Sequence, residues 1–450
     1  MSTFRHLGPQ RALVLAALLS TAVFWALLSP PALAAVLDPR GIQSETLHNG
    51  LRLIVANDPD ARVVAAEIVV KVGAADEPPG QKGIAHLLEH VLWCGAPNPD
   101  SDPRMTIEQM GGVVDAGTLR DYTRFYATVP AGNLDLVIAA LGETVLQTDY
   151  DENIVARERR IIIEESAMRA EDPRTVLNAL AFAELYTPAH PYSSPIEGTL
   201  EDLSQVDAAR LALFHQTWYV PNNIAVIVSG DAPFDVVRDL VASTFGRLSP
   251  AALPSRSRPL PPRPSPTRLQ TLELPIEKAY VMAAFVGPDA TEHTSVSASD
   301  LLATLLTHGP TGRLVFELQE KRSLALGLGI DFLTQRDRAL FGVWAICEPD
   351  SIDGVREAIR TQLSRLAREP VPPAGFATAK RLLAAGFAFA NETPADRAAT
   401  LGFYEAIDSY RAASYYLPWV AAIRPQAVAE VAAWYSGEPV WIILRPEIVQ

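Results

Sequence analysis

The sequence predicts an α+β protein made of two copies of one unit, each a mixed, mainly antiparallel sheet flanked by helices, joined by a proline-rich linker. Three observations carry this. Residues 248–268, LSPAALPSRSRPLPPRPSPTR, are rich in Pro, Ser and Arg and lack helical or strand periodicity, so they read as a semi-extended connector. Each flanking half mixes β-branched runs with segments of helical apolar spacing. The order also recurs: EIVVKVG followed by a helical stretch in the first half lines up with YVMAAFVG followed by a Leu-rich helical stretch in the second. The expected boundaries are 36–248 for the first domain, 249–268 for the linker and 269–450 for the second domain.

The elements follow in chain order. VVAAEIVVKVG (63–73) is β-branched and reads as a strand, and GIAHLLEHVLW (83–93) has helical apolar spacing. VVDAGTLRDYTRFYATV (113–129) reads as a hairpin or two adjoining strands, with Tyr122, Phe125 and Tyr126 expected in the core. NLDLVIAALGETVL (133–146) and ENIVARERRIIIEESAMRAE (152–171) read as helices, and NIAVIVSGD (223–231) as a late strand. In the second half KAYVMAAFVGPD (278–289) is a strand, VSASDLLATLLTH (296–308) and GRLVFELQEKR (312–322) are helices, LGLGIDFL and ALFGVWAIC are strands, and PVWIILRP (439–446) closes the chain.

Residues 1–34 read as an export signal. Arg5 and Arg11 give a positive start, ALVLAALLSTAVFWALL is the apolar core, and Ala32-Leu33-Ala34 is a small-x-small cleavage pattern. The expectation is a periplasmic protein with no stable membrane span after cleavage; the alternative is an inner-membrane anchor left uncleaved. Without the signal, 36 basic residues face 52 acidic ones, a charge of −16. Such an acidic chain is a poor match for nucleic acid or an anionic membrane surface. Cys94 and Cys347 lie far apart in sequence and read as buried thiols rather than a bridge. The arginines at 256, 258, 263 and 268 read as charges that keep the linker solvated, and His190, in the turn-rich HPYSSP, as a surface or loop-packing residue.

The chemistry concentrates in HLLEHVLWCG (86–95). His86 and His90 are four apart, hence on one helix face, and Glu89 falls on nearly the same side. Three polar groups converging within an apolar helix suit a Zn²⁺ ion, which accepts neutral imidazole and, in a catalytic site, takes three protein ligands plus an open position. The H-x-x-E-H order is an inverted zinc motif. Cys94 extends the same face only if the helix continues, and Gly95 and Pro97 argue that it stops. A third ligand has to come from elsewhere. In ERRIIIEE, Glu158 and Glu165 are two turns apart on one face beside Ile161-Ile162-Ile163; a carboxylate there is either a ligand or a surface charge. The second copy has no His pair, so one zinc per chain is expected.

At this point the chain resembles the pitrilysin family of zinc peptidases, which includes the insulin-degrading enzymes and the mitochondrial processing peptidase. The matching stretches are VGAADEPPGQKGIAHLLEHVLWCGA, MGGVVDAGTLRDYTRFYATVP, ARERRIIIEESAMRAEDP, HPYSSPIEGTLEDL, YVPNNIAVIVSGD and, in the second half, GRLVFELQEKRSLALGLGI. The resemblance implies a clam-like pair of halves around peptide or unfolded-protein substrates. It implies that His86, His90 and Glu165 hold zinc, that Glu89 is the general base, and that Glu158 supports a ligand. It also likens the strand near Asp115, Ala116 and Thr118 to a substrate-binding edge that takes an extended peptide as an added strand, although Asp115 stands where the family often has Asn, exchanging an amide for an acceptor-only carboxylate.

One departure is larger. Where the family places an Arg and a Tyr seven apart to steady the substrate carbonyl, this chain has Gln319 and Leu326. Leucine donates no hydrogen bond to a developing oxyanion, and losing one such donor costs on the order of 10²–10³ in rate. The expectation is a zinc-bearing subunit completed by a homologous Arg/Tyr-bearing partner in a heterodimer, with a homodimer as the simpler assembly. The alternative is a non-catalytic or weakly active peptide-binding or scaffold subunit.

Overall fold

The computed structural model describes residues 37–94, 102–256, 268–369 and 371–447. The expected signal segment, most of the proline-rich linker and the side chain of Cys94 lie outside the described residues. Among those described, no helix is long and apolar enough to cross a membrane.

Two sheets form, one in each half. The first has the order β1-β2-β6-β3-β5-β4, with β1 Ile42–Thr46, β2 Arg52–Asn57, β3 Val63–Val70, β4 Val113–Thr118, β5 Thr123–Pro130 and β6 Ile224–Gly230. The second has the order β7-β11-β8-β10-β9, with β7 Arg268–Leu274, β8 Ala279–Val286, β9 Ala325–Phe332, β10 Leu340–Cys347 and β11 Val440–Pro446. With β1 set aside, β2-β6-β3-β5-β4 and β7-β11-β8-β10-β9 are the same arrangement. Each contains one parallel pair, β2 with β6 and β7 with β11, in an otherwise antiparallel sheet. The repeat read from EIVVKVG and YVMAAFVG is therefore β3 and β8, each at the third place in this shared order.

Both faces of each sheet are covered, which is why the central strands are almost continuously apolar. In the first sheet Leu53 and Val55 point into a core shared with helices Ile84–Cys94, Leu134–Leu146 and Phe234–Phe245. The alternate residues Ile54, Ala65, Val69 and Ile227 face the other way, against Ala398 and Leu401 of helix Pro394–Ile407, which belongs to the second half of the sequence. The second sheet reverses the exchange. Val281 and Val343 face helices His293–Thr307, Ile352–Arg368 and Pro425–Tyr435, while Met282, Ala284, Ile442 and Leu444 face Leu177 and Ala181 of helix Pro173–Leu185, from the first half. Each half thus lends one helix to the back of the other sheet. Gly402 permits the close approach: a Cβ there would lie 2.9 Å from the Glu67 carboxylate.

Three local readings change. The expected helix 312–322 is one α-turn, Arg313–Val315, passing into a π-helix, Phe316–Lys321. Arg256 is not merely solvated: its guanidinium pairs with Asp76 at 2.7 Å and lies over the Trp218 ring. Arg268 begins β7 and donates to the Glu184 carbonyl. Cys347 is free and buried, and Tyr122 and Phe125 are in the core. His190 is also buried, its Nδ1 accepting from the Tyr192 amide.

Candidate active site

Helix Ile84–Cys94 begins at Gly83, whose φ of +92° and tight packing exclude a side chain: a Cβ would sit 2.5 Å from the Glu197 carbonyl oxygen. Its first amides would be orphaned inside the protein. The Glu77 carboxylate accepts from the amides of Gly83 (2.9 Å) and Ala85 (3.0 Å) and so caps the helix from outside it. Burial pushes that carboxyl up to about 8 against the pull of the two donors. Nothing in the motif pointed to Glu77; the trace available in sequence was an acid shortly before a Gly-initiated helix. Leu87, Leu88 and Val91 anchor the helix in the core. His86 and Glu89 are buried with them, at 7% and 6% exposure, so their polar atoms need partners.

Helix Glu152–Arg169 supplies partners for the other histidine, His90. It is capped by Asp151, which accepts from the Asn153 amide. Val155, Glu158 and Ile162 form its buried stripe, and Glu165 continues that stripe by one further step of three. The two glutamates read from sequence as sharing a face both reach His90, one at each ring nitrogen. Glu158 Oε2 lies 3.3 Å from His90 Nδ1, and Glu165 Oε2 lies 3.8 Å from His90 Nε2. Arg157 donates to the other Glu158 oxygen at 2.9 Å.

His86, His90 and Glu165 bring one ligand atom each to within 4.8 Å of one another. Ligands on a tetrahedral zinc at roughly 2.0–2.2 Å stand about 3.3–3.6 Å apart, so the donors are gathered and slightly open. The chemistry of the set suits the ion. Burial drives His86 down to about 3, leaving its ring neutral, the form that coordinates metal, and its buried Nδ1 has no hydrogen-bond partner among the described residues. For His90, burial pulls the pKa down but the Glu158 hydrogen bond and the charges of Glu89 and Glu165 prevail and raise it. Glu158 is lowered: burial acts against it, and its bonds from His90 and Arg157 outweigh burial. A carboxylate accepting from Nδ1 fixes the tautomer that presents Nε2 to a metal.

Glu89 faces β4. The Thr118 hydroxyl donates to Glu89 Oε2 at 2.9 Å, and Thr123 stands 3.4 Å behind it with its own hydroxyl bonded to the Val72 carbonyl. Among the described residues Glu89 Oε1 has no hydrogen bond. Burial raises the Glu89 pKa, against the nearby His90. Thr118, expected at a substrate edge, therefore holds Glu89. Asp115 is exposed and accepts from Tyr126 Oη (2.9 Å) and the Ala116 amide (2.9 Å). β4 is the outermost strand of its sheet, so one of its edges pairs with no strand among the described residues. In the other half, Gln319 Nε2 donates to the Leu326 carbonyl at 3.2 Å, and the Leu326 side chain is 61% exposed on the outermost strand β9.

Comparison with known proteins agrees with this architecture. Residues 52–199 match the insulinase family model, peptidase family M16, and residues 205–383 match the model of the M16 inactive domain. The chain belongs to the insulinase, or pitrilysin, family of zinc peptidases. An uncharacterized zinc protease of Mycobacterium leprae is 30% identical over 77% of this chain and 78% of its own length. The zinc protease PqqE of Helicobacter pylori is 28% identical over 63% of this chain and 65% of its own. Among solved structures, a Helicobacter pylori protease superposes with a TM-score of 0.83 at 23% identity, covering 90% of this chain and 99% of that one. Pitrilysin superposes at 0.74 and 21% identity, over 90% of this chain and 45% of its own length. The two-domain fold is that of the family, and relatives named zinc proteases make this a metallopeptidase-family chain.

Proposed function

We propose that the chain is the zinc-bearing subunit of an endopeptidase, with His86, His90 and Glu165 holding one zinc ion and Glu89 as general base. The observation that carries this is the convergence of those three donors beside a carboxylate fixed on one oxygen only. Zinc bound there supplies a water that ionises near neutrality and a Lewis acid for the scissile carbonyl. Glu89 takes the water's proton at its unbonded Oε1 while Thr118 steadies Oε2, and then delivers that proton to the leaving amine. Glu158 keeps the His90 ring turned, and the open edge of β4 aligns an extended peptide through its backbone.

A homologous partner supplies the carbonyl-steadying donors that Gln319 and Leu326 do not. Two facts support this. Leu326 is exposed and apolar where a donor is needed, and pitrilysin is more than twice as long as the part of it that this chain matches. Residues 1–34 support export to the periplasm.

The test is elemental analysis with a Glu89→Gln variant. The expected result is about one zinc per chain in both proteins and a loss of peptide cleavage of about 10²–10⁴ in the variant. Undiminished cleavage by Glu89→Gln would remove the residue from its role. Cleavage by the purified chain alone at the rate seen with a partner added would remove the partner.

A further inference from the structure

A cavity of about 620 Å³ begins one residue past Thr118, where the two halves meet. Its walls are the turn between β4 and β5, helix Pro173–Leu185, the segment after β9, and helix Pro394–Ile407 lent by the second half. Most of this lining is apolar, with Leu119, Phe182, Phe332 and Phe403 prominent. The charged groups decide what it suits.

Each carboxylate in the wall is already engaged. Asp331 takes both its oxygens to Arg174 at 2.9 Å and a third bond from Trp344 Nε1 at 3.0 Å. Asp121 accepts from Tyr192 Oη at 2.8 Å and from the Arg336 amide at 3.0 Å. Glu197 is paired with Arg169. Arg120 is different. Its guanidinium lies 3.7 Å from the centre of the Phe182 ring, and among the described residues its nitrogens reach only the Tyr192 and Ser194 carbonyls at 3.4 and 3.5 Å. Asp121 and Glu197 act on it at longer range, but no described carboxylate forms an ion pair with it. A half-buried cation without its own anion is costly unless a ligand supplies one.

The cavity adjoins the catalytic groups on two sides. Arg120 follows Thr118, the residue bonded to Glu89, by two positions in the turn that leaves β4, so their Cα atoms are at most about 7 Å apart. The Glu197–Arg169 pair stands between the cavity and the donor cluster: Arg169 is one turn beyond Glu165, and the Glu197 carbonyl packs on Gly83 at the head of the histidine helix.

We propose that this cavity is a substrate subsite in which Arg120 binds a carboxylate of the peptide, within a residue or two of the bond that is cut. The inference rests on the peptidase reading above. The carboxylate has two possible sources with one chemistry, a free peptide C-terminus or an Asp or Glu side chain. The planar guanidinium, stacked on Phe182, offers the paired donors that a carboxylate accepts.

The test measures binding without turnover, so that it stands apart from the zinc chemistry. The metal-free full chain is titrated by fluorescence anisotropy with a labelled neutral hexapeptide acid, its C-terminal amide, and amides carrying Glu at each position in turn. At least one carboxylate-bearing peptide is expected to bind about 10- to 100-fold tighter than the neutral amide. A preference for the acid assigns the C-terminus, and a preference for one Glu-containing amide assigns a side chain. Arg120→Met is expected to remove the preference while leaving binding of the neutral amide unchanged, and Arg120→Lys to keep part of it. Equal affinity for all peptides, or no binding of any, overturns the subsite. So does an Arg120→Met variant that weakens every peptide alike, which would mark Arg120 as packing for Phe182 and the 192–194 turn. Zinc content and the Glu89→Gln assay are unaffected by that result.

Discussion

The two sheets share one strand order, yet among the described residues side chains that could hold a metal ion gather only in the first half. In the first half, β3 leads into a helix whose buried residues include His86 and Glu89. In the second, β8 leads into helix His293–Thr307, whose buried positions include Ala298, Leu301, Leu302 and Leu306. The outermost strands differ in the same way: β4 places a threonine hydroxyl on Glu89, whereas β9 exposes Leu326. The comparison teaches that the topology builds a frame twice, and that a few side chains on one helix, one neighbouring helix and one edge strand turn one frame into a site. The second frame acts through shape: it covers the first sheet with helix Pro394–Ile407 and closes the cavity beside Thr118.

The most direct way to break the contrast is to make the first helix resemble the second. His90→Leu is expected to keep the helix, because leucine is a good helix former, and to abolish stoichiometric zinc. Circular dichroism with elemental analysis checks both, and retained zinc would exclude His90 as a ligand. A finer cut is Glu158→Gln, which leaves all three donors in place, weakens the hold on His90 Nδ1 and removes the charge that Arg157 pairs with. Zinc affinity is expected to fall about 10- to 100-fold, read by competition with a chelator.

A third test leaves the metal donors alone and concerns the back of the first sheet, where Glu67 is buried under Gly402 and 3.2 Å from Arg124. Burial raises its pKa from 4.5 to about 7, with Arg124 pulling the other way. A folded-state value above the unfolded one means that the stabilising contribution is intact below pH 4.5 and is lost as pH rises through 7. Glu67→Gln is therefore expected to flatten the pH dependence of stability over that window, by on the order of 3 kcal/mol. Chemical denaturation at pH 4.5 and 8 measures it, and an unchanged slope would show that Glu67 is ionised throughout.

Much of the candidate site was legible because it is encoded by spacing within single elements. His86 and His90 at four apart, and Glu158 and Glu165 at seven, share faces on any helix, and the structure brings the two faces together. Thr118 was found as a residue but not in its role, since a hydroxyl on a strand does not announce which carboxylate lies opposite. Glu77, Thr123 and Arg120 were missed. Each acts on a group from another element, or waits for one, through a contact that no local pattern marks.

The sequence by itself determined the two-copy α+β plan, the single histidine pair on one helix face and the two glutamates on another, because periods of 2 and 3.6 are properties of the chain's own geometry. It also marked the central strands as β-branched apolar runs. Only the tertiary structure decided what buries them: helix Pro173–Leu185 lies on the second sheet and helix Pro394–Ile407 on the first. An apolar face states that it must leave water but not which surface receives it, because the hydrophobic effect is non-directional. That choice is made by shape and by close contacts such as Gly402 against Glu67, between residues hundreds of positions apart.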